Sequence, residues 1–306
     1  MTHLSMAAPR LALVTCATVP EWEVDDEPLR VALGERGVVF EQPTWDDSGV
    51  DWGRFDAALI RTTWDYQRRP EAFLAWTRRV EARTRLFNPA PVIAWNLHKG
   101  YLRELEAAGV PIAPSVWLRA GEDVDLAALL AREVMAGGRA FLKPLVAANS
   151  DGTLRFDTGD AGELEAAQRH LDVLLAQGRD MVLQPYLGSV ETEGEYSVLE
   201  FDGRVSHAVR KIPVAGDYRV QDDHGASDEA WTPDAEALEL VRRCREAVRA
   251  RFPGLDAPLL YARVDLLRDA GGGLVVNELE LIEPSLFFRH DAGAGPRLAE
   301  ALLARV

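Results

Sequence analysis

Short apolar runs alternate with stretches of helical spacing along the first third of the chain. Residues 11–16 form an apolar run, which predicts a buried strand. Residues 27–36 carry Leu29, Val31, Ala32 and Leu33 at helical spacing and stop at Gly37, so a helix is expected there. Residues 38–41 and 57–61 read as further strands. Residues 70–83 read as a helix with Phe73, Leu74, Trp76 and Val80 on its apolar side. Strands alternating with helices predict a small parallel α/β unit, punctuated near Asn88-Pro-Ala-Pro91.

A helix is expected over 98–108, stopped by Gly109, then an extended stretch and a strand at 115–118. Residues 126–136 read as a helix, 140–145 as a strand carrying Lys143, and 147–153 as a small, polar, mobile loop. A helix over 163–176 and a strand over 181–186 follow. The pattern then turns β-rich, with strands at 195–201 and 204–211 and two more near the end. One long helix over 234–250 interrupts them, and the last helix spans 296–305.

The two late strands carry the densest chemistry. The first reads Tyr261-Ala-Arg-Val-Asp265-Leu-Leu, and the second Leu274-Val-Val-Asn-Glu278-Leu-Glu280. Asp269-Ala-Gly-Gly-Gly273 between them reads as a hairpin loop. Glu278 and Glu280 share one strand face, and a closed hairpin brings Asp265 beside them. Three carboxylates on one face repel unless a cation sits there, and a hard ion such as Mg²⁺ suits oxygen ligands. A half-exposed strand with ordinary surface charges is the competing reading. Lys143 adds a second signal, because an ammonium within an apolar strand requires an anion or a wet pocket.

The chain has 306 residues, 47% of them hydrophobic, enough for two or three packed units. Its formal charge of −15 argues against a general role on nucleic acid or anionic membranes. Only Cys16 and Cys244 are cysteines, which excludes a disulfide framework or a cysteine zinc site and suggests a reducing cytoplasm. No apolar run reaches membrane-spanning length, and the first ten residues lack a signal-peptide core.

Five segments, in order, resemble the ATP-grasp superfamily, in particular its glutathione-synthetase-like branch. They are Asn96-Leu-His-Lys99 with Gly109-Val-Pro, Phe141-Leu-Lys143-Pro144, Ala147 to Thr153, Met181-Val-Leu-Gln184-Pro185-Tyr186-Leu187, and the carboxylate hairpin. The resemblance implies an α/β N-terminal domain over 1–95, followed by a two-lobed, α+β ATP-grasp fold. Its central lobe would span 96–187 and its C-terminal lobe 188–306. It implies ATP as a cofactor, with Lys99 and Lys143 on phosphates and Ser150 in the loop that covers them. Gln184, Pro185, Tyr186 and Leu187 would border the adenine. Glu191, with Glu195 as rival, would accept from the ribose. Asp265, Glu278 and Glu280 would hold two Mg²⁺ ions, with Mn²⁺ as a substitute. Glu280 stands where the superfamily commonly has Asn. With Glu283-Pro-Ser285-Leu, that departure is similar to the O-ureidoserine cyclo-ligases, a cycloserine-forming subgroup. Gly216-Asp-Tyr-Arg219-Val-Gln is more similar to the general ligase substrate loop, which leaves the substrate open.

The implied activity is ATP-dependent ligation. A carboxylate of a small amino-acid-like substrate is activated as an acyl phosphate and attacked by nitrogen, within the same molecule in the cyclo-ligase version. Such chemistry brings anions together, so it needs metal, Lys143 and an Arg. Arg219 is the first choice, with Arg210 assisting, since a guanidinium fork suits carboxylate or phosphate. Arg61-Thr-Thr-Trp64-Asp-Tyr66 follows a strand, where open α/β sheets bind ligands. Arg61 and Trp64 are therefore substrate candidates, against a reading in which this stretch begins a helix with aromatics packed beneath. Glu283, Ser285 and Arg289 are further candidates. A homodimer is expected by the same resemblance. The alternative is an ATP-binding regulatory protein without ligase turnover, favoured by the glycine-poor phosphate loop. A metal-dependent hydrolase ranks last.

Overall fold

The computed structural model describes residues 8–19, 24–132, 138–147, 150–220 and 225–306. The chain opens with β1 (Arg10–Thr15), α1 (Glu27–Glu35), β2 (Val39–Glu41), β3 (Ala57–Thr62), α2 (Pro70–Glu81) and β4 (Arg85–Phe87). Their strands pair in parallel in the order β2-β1-β3-β4. Both faces of this sheet are covered, so β1 and β3 are buried almost throughout and read as apolar runs without alternation. Phe73 and Trp76 of α2 pack with Val14 and Ile60 on one face.

Where the sequence suggests punctuation, α3 (Ala90–Asn96) follows at once. Its proline lies in the first turn, where a missing N–H removes no intrahelical bond. Next come α4 (Tyr101–Ala107), β5 (Val116–Leu118), α5 (Leu126–Arg132), β6 (Arg139–Pro144), β7 (Leu154–Asp157), α6 (Ala161–Ala176) and β8 (Met181–Pro185). These strands form an antiparallel sheet in the order β5-β8-β6-β7, covered by Leu126, Leu129, Leu171 and Leu174 of α5 and α6. Residues 133–136 of the expected helix lie outside the described residues.

The last part holds α7 (Ser189–Thr192), β9 (Glu195–Phe201), β10 (Arg204–Ile212), β11 (Ser227–Ala230), α8 (Ala235–Arg251), β12 (Tyr261–Arg268), β13 (Leu274–Glu280) and α9 (Ala294–Leu303). Its antiparallel sheet runs β11-β10-β9-β12-β13, with Val241, Cys244 and Val248 of α8 packed beneath. β11 reads Ser-Asp-Glu-Ala and has no apolar signal; its pairing with β10 alone makes it a strand.

The predicted hairpin forms. Asp269 closes it by accepting from Gly271 N at 2.8 Å and Gly273 N at 3.0 Å. Arg263 pairs with Glu280 and Asp265 with Glu278, and the register then slips before Leu266. This bulge brings two successive residues, Asn277 and Glu278, to the same cleft wall.

The final helix joins its own sheet to the N-terminal unit, packing with Leu199, Phe201 and Val209 of β9 and β10. Leu298 and Leu302 of α9 pack with Leu29 and Leu33 of α1. The approach is close enough that a Cβ at position 295 would sit 2.6 Å from the Pro28 carbonyl, so Gly295 is required. Asn88 makes a second tie. It is fully buried, donates to Tyr261 O at 2.9 Å and Leu281 O at 2.8 Å, and accepts from Leu260 N at 3.0 Å. Among the described residues, no helix is long and apolar enough to cross a membrane.

Asn88→Ala strands these buried backbone groups. It is expected to cost about 2–3 kcal/mol in urea denaturation. A loss within about 0.5 kcal/mol, typical of a surface site, would contradict this account of the junction.

Candidate active site

A cleft of about 330 Å³ opens between the β6–β8 sheet and the β9–β13 sheet, with the N-terminal unit closing one end. Its two ends differ in chemistry.

One end is apolar. Phe141, Tyr186, Leu187, Tyr218, Val220 and Leu267 form a small cluster apart from the main cores. Strand alternation sends Ala140 and Leu142 into the core and Phe141 and Lys143 toward the cleft. Gln184 and Pro185 lie on the same wall, and Gln184 donates to Ser115 Oγ at 2.9 Å. Glu191 lies just outside the lining. It accepts from Tyr186 OH at 2.6 Å, Arg155 at 2.8 Å and Arg139 at 3.1 Å. The Tyr186 hydrogen bond, with both guanidiniums, holds its carboxyl below the usual range. Glu195 does line the cleft, but at the opposite end.

That other end is crowded with charge. Lys99 Nζ pairs with Glu278. Burial pulls the Lys99 ammonium down, but Glu278, Glu280 and Glu283 more than compensate, so its pKa is raised. Lys143 donates to Asn277 Oδ1 at 2.8 Å. Burial dominates there, and with repulsion from Lys99 it brings Lys143 down to about 8. Glu195 pairs with Lys211 and accepts from Asn277. Asp265 accepts from Ser197 Oγ at 2.5 Å and from Arg263 at 2.8 and 2.9 Å, with Lys211 at 3.4 Å. Burial alone would raise Asp265, but Arg263 and Lys211 outweigh it and hold it at about 2. Glu280 also pairs with Arg263. Its burial, together with Asp265 and Glu278, still lifts it to about 7.

Arg263 and Asn277 escaped the sequence reading. A signal existed for Arg263, which sits two residues before Asp265 and so shares its strand face. None existed for Asn277, because alternation places it opposite Glu278 and only the bulge overrides that.

Other expected residues are placed as follows. Arg219 lines the cleft and pairs with Asp217 at 2.7 Å. Arg210 is not among the lining residues and pairs with Glu229 of β11 at 2.6 Å. Alternation along β10 brings its neighbour Lys211 into the cleft instead. Arg61 is buried, paired with Asp26 at 2.7 Å, and donates to Pro284 O at 3.1 Å. Trp64 lines the cleft and donates to Glu283 O at 3.3 Å. Tyr66 lines the cleft, with its ring stacked on Phe73 at 4.7 Å and its hydroxyl toward Glu283. Ser150 and Ser285 line the cleft, while residues 148–149 of the phosphate loop lie outside the described residues.

Among the described residues no three His, Cys, Asp or Glu side chains are grouped so as to hold a metal ion; Glu278 pairs with Lys99, and Asp265 and Glu280 pair with Arg263. The donor set nevertheless fits a hard divalent cation. Asp265, Glu278 and Glu280 offer oxygen donors only, as such an ion requires.

An apolar slot beside a hinge strand, leading to lysines and a carboxylate hairpin, gives a nucleotide and its metal a place between two lobes; this is the arrangement of ATP-grasp ligases. The model of the N-terminal domain of D-cycloserine synthetase DcsG matches residues 11–88. The cycloserine biosynthesis protein DcsG of Streptomyces lavendulae is 37% identical over 97% of this chain and 98% of its own length. A crystal structure of D-cycloserine synthetase DcsG superposes with a TM-score of 0.85 at 35% identity, covering 97% of this chain and 99% of that one. A D-alanine–D-alanine ligase from Bacillus anthracis in complex with ATP shares the fold, with a TM-score of 0.63 at 16% identity and 97% of each chain covered. The chain belongs to the DcsG family of ATP-grasp ligases. It is an ATP-dependent enzyme of carboxylate–nitrogen ligation.

The elevated acids carry a pH prediction. Glu280 and Glu283 rise from 4.5 to about 7 and about 8, so the folded chain holds more protons than the unfolded chain between those values. Their contribution to stability therefore falls as pH rises through that window. Asp265 acts oppositely, its contribution being lost only as pH falls from 3.8 toward about 2. Thermal melts of the ligand-free protein between pH 5 and 8 are expected to show a decline that Glu283→Gln reduces. An equally steep decline in that variant would contradict the assignment.

Proposed function

We propose that this enzyme activates the carboxylate of a small amino-acid-like substrate as an acyl phosphate and closes a ring by attack of a nitrogen in the same molecule. The ligase reading rests above all on Asp265 and Glu278 standing opposite each other across the hairpin, with Lys99 and Lys143 facing them. Ring closure is supported by similarity along almost the whole chain to a cycloserine biosynthesis protein, and by Glu280 in place of the usual amide.

Bound Mg-ATP supplies the phosphoryl group. Asp265, Glu278 and Glu280 would hold two Mg²⁺ ions, with Mn²⁺ able to substitute. Lys99 and Lys143 neutralise phosphate oxygens, and Ser150 lies at the loop over them. The cluster around Tyr186 and Leu187, with Gln184 and Pro185, receives the adenine. Glu191 stands beside Tyr186 at that end, whereas Lys211 and Asn277 occupy Glu195, so Glu191 is the better acceptor for the ribose. Arg219 faces the phosphate and substrate carboxylate, and Arg263 adds fixed positive charge there. Trp64, Ser285 and Arg61 shape the substrate end, Arg61 through Asp26 and the Pro284 backbone. We further propose a cytoplasmic homodimer without nucleic-acid or membrane partners. Support comes from the free, buried Cys16 and Cys244, the acidic charge, and exposed Val31 on α1 and Val39 on edge strand β2.

ADP release with Mg-ATP and O-ureidoserine is expected. The product mass should show loss of water, or of ammonia and carbon dioxide. A product joining two acceptor molecules would overturn ring closure. Glu278→Gln should lower ADP release by at least about 100-fold with unchanged circular dichroism, because it removes a charge that acts on the transferring group. Full activity in that variant would overturn the metal assignment.

A further inference from the structure

The turn after β13 is held with unusual completeness. Every backbone carbonyl from Leu281 to Leu286 is bonded to a side chain: those of Asn88, Tyr261, Trp64, Arg61, Arg263 and His207, at 2.6 to 3.3 Å. The donors come from both the N-terminal unit and the C-terminal sheet. A segment so anchored presents its outward side chain at a fixed position, as a preorganised binding group requires. That side chain is Glu283, which lines the cleft.

Glu283 differs from the other cleft acids. Asp25 pairs with Arg289, Asp26 with Arg61, and Glu195 with Lys211. Asp265 and Glu280 pair with Arg263, and Glu278 with Lys99. Among the described residues, Glu283 meets no cation within ion-pair distance. Its partner is the neutral Tyr66 hydroxyl, with Glu280, Glu278 and Lys99 acting on it from further away. An acid built into a rigid cleft wall without a counter-charge is suited to receive one from a ligand.

We propose that Glu283 is the specificity-determining receptor for a primary ammonium group on the substrate, so that the enzyme selects free amino acids over N-blocked ones. The inference rests on the ligase reading above. Glu283 lies close enough to Glu280 and Lys99 to interact with both, so the ammonium would sit beside the carboxylate being activated, as in an amino acid. Trp64 and Tyr66 wall the same end and shed water from the pair. Burial and the Glu280 charge lift the Glu283 carboxyl to about 8.

The test compares O-ureidoserine with its N-acetyl derivative in the wild type, Glu283→Gln and Glu283→Asp. Glu283→Gln is expected to raise KM for O-ureidoserine about 10- to 100-fold, leave KM for ATP unchanged, and erase the preference for the free amine. Glu283→Asp, which keeps the charge, should recover part of that preference. Calorimetry at pH 7 with a non-hydrolysable ATP analogue and Mg²⁺ should show release of about one proton as the wild type binds the amine, and none in Glu283→Gln. Unchanged KM and preference in a folded Glu283→Gln would overturn the proposal. Without turnover in the wild type, the ring-closing reading fails and the binding arm decides alone. Tighter, proton-releasing binding to the wild type then upholds Glu283, and equal or absent binding overturns it.

Discussion

Buried negative charge has to be balanced, and the cleft is arranged around that need. Acids on β9, β12, β13 and the following turn face one small volume, and burial penalises Asp265, Glu280 and Glu283. Arg263 and Lys211 answer for Asp265, and Lys99 for Glu278. The compensation is uneven. Asp265 ends far below its ordinary pKa, while Glu280 and Glu283 end well above theirs. The elevated acids lie where a cation from outside, metal or ammonium, completes the balance. The same surplus destabilises the empty protein and favours the filled one, as expected where binding energy is set aside for function.

Rigidity follows the same geography. The core around Leu29 and Leu298 mixes residues of the N-terminal sheet, β9, β12 and α9, so the substrate end is built from both ends of the chain. Asn88 and Tyr261 bridge that junction through buried side-chain bonds to backbone carbonyls. The β5–β8 sheet instead keeps a core of its own, from Leu118 to Leu183. Phe141 and Lys143 are thus carried on a separately packed sheet that faces the carboxylate wall, which suits a cleft that must admit and enclose a nucleotide.

Some details read poorly from sequence for identifiable reasons. β4, β7 and β11 have only three or four residues, too few to show a period. α3 was hidden by prolines that are harmless in a first turn. Arg210 and Lys211 are adjacent in sequence, and only the placement of β10 in its sheet decides which of them faces the cleft. Glu191 and Glu195 differ by one helical turn, yet α7 separates them into different charge environments.

Local pattern by itself determined the alternation of elements, the parallel first sheet, the hairpin and the acids on it, and the two lysines. Each of these depends on a periodicity or a residue type that no neighbour can change. Tertiary structure decided what those groups meet. A one-residue bulge turned Asn277 into the cleft, and the pairing of β12 with β13 brought Glu280 to Arg263. Contacts spanning nearly the whole chain fixed the turn that carries Glu283, because charge and hydrogen-bond balance is settled between segments far apart in sequence.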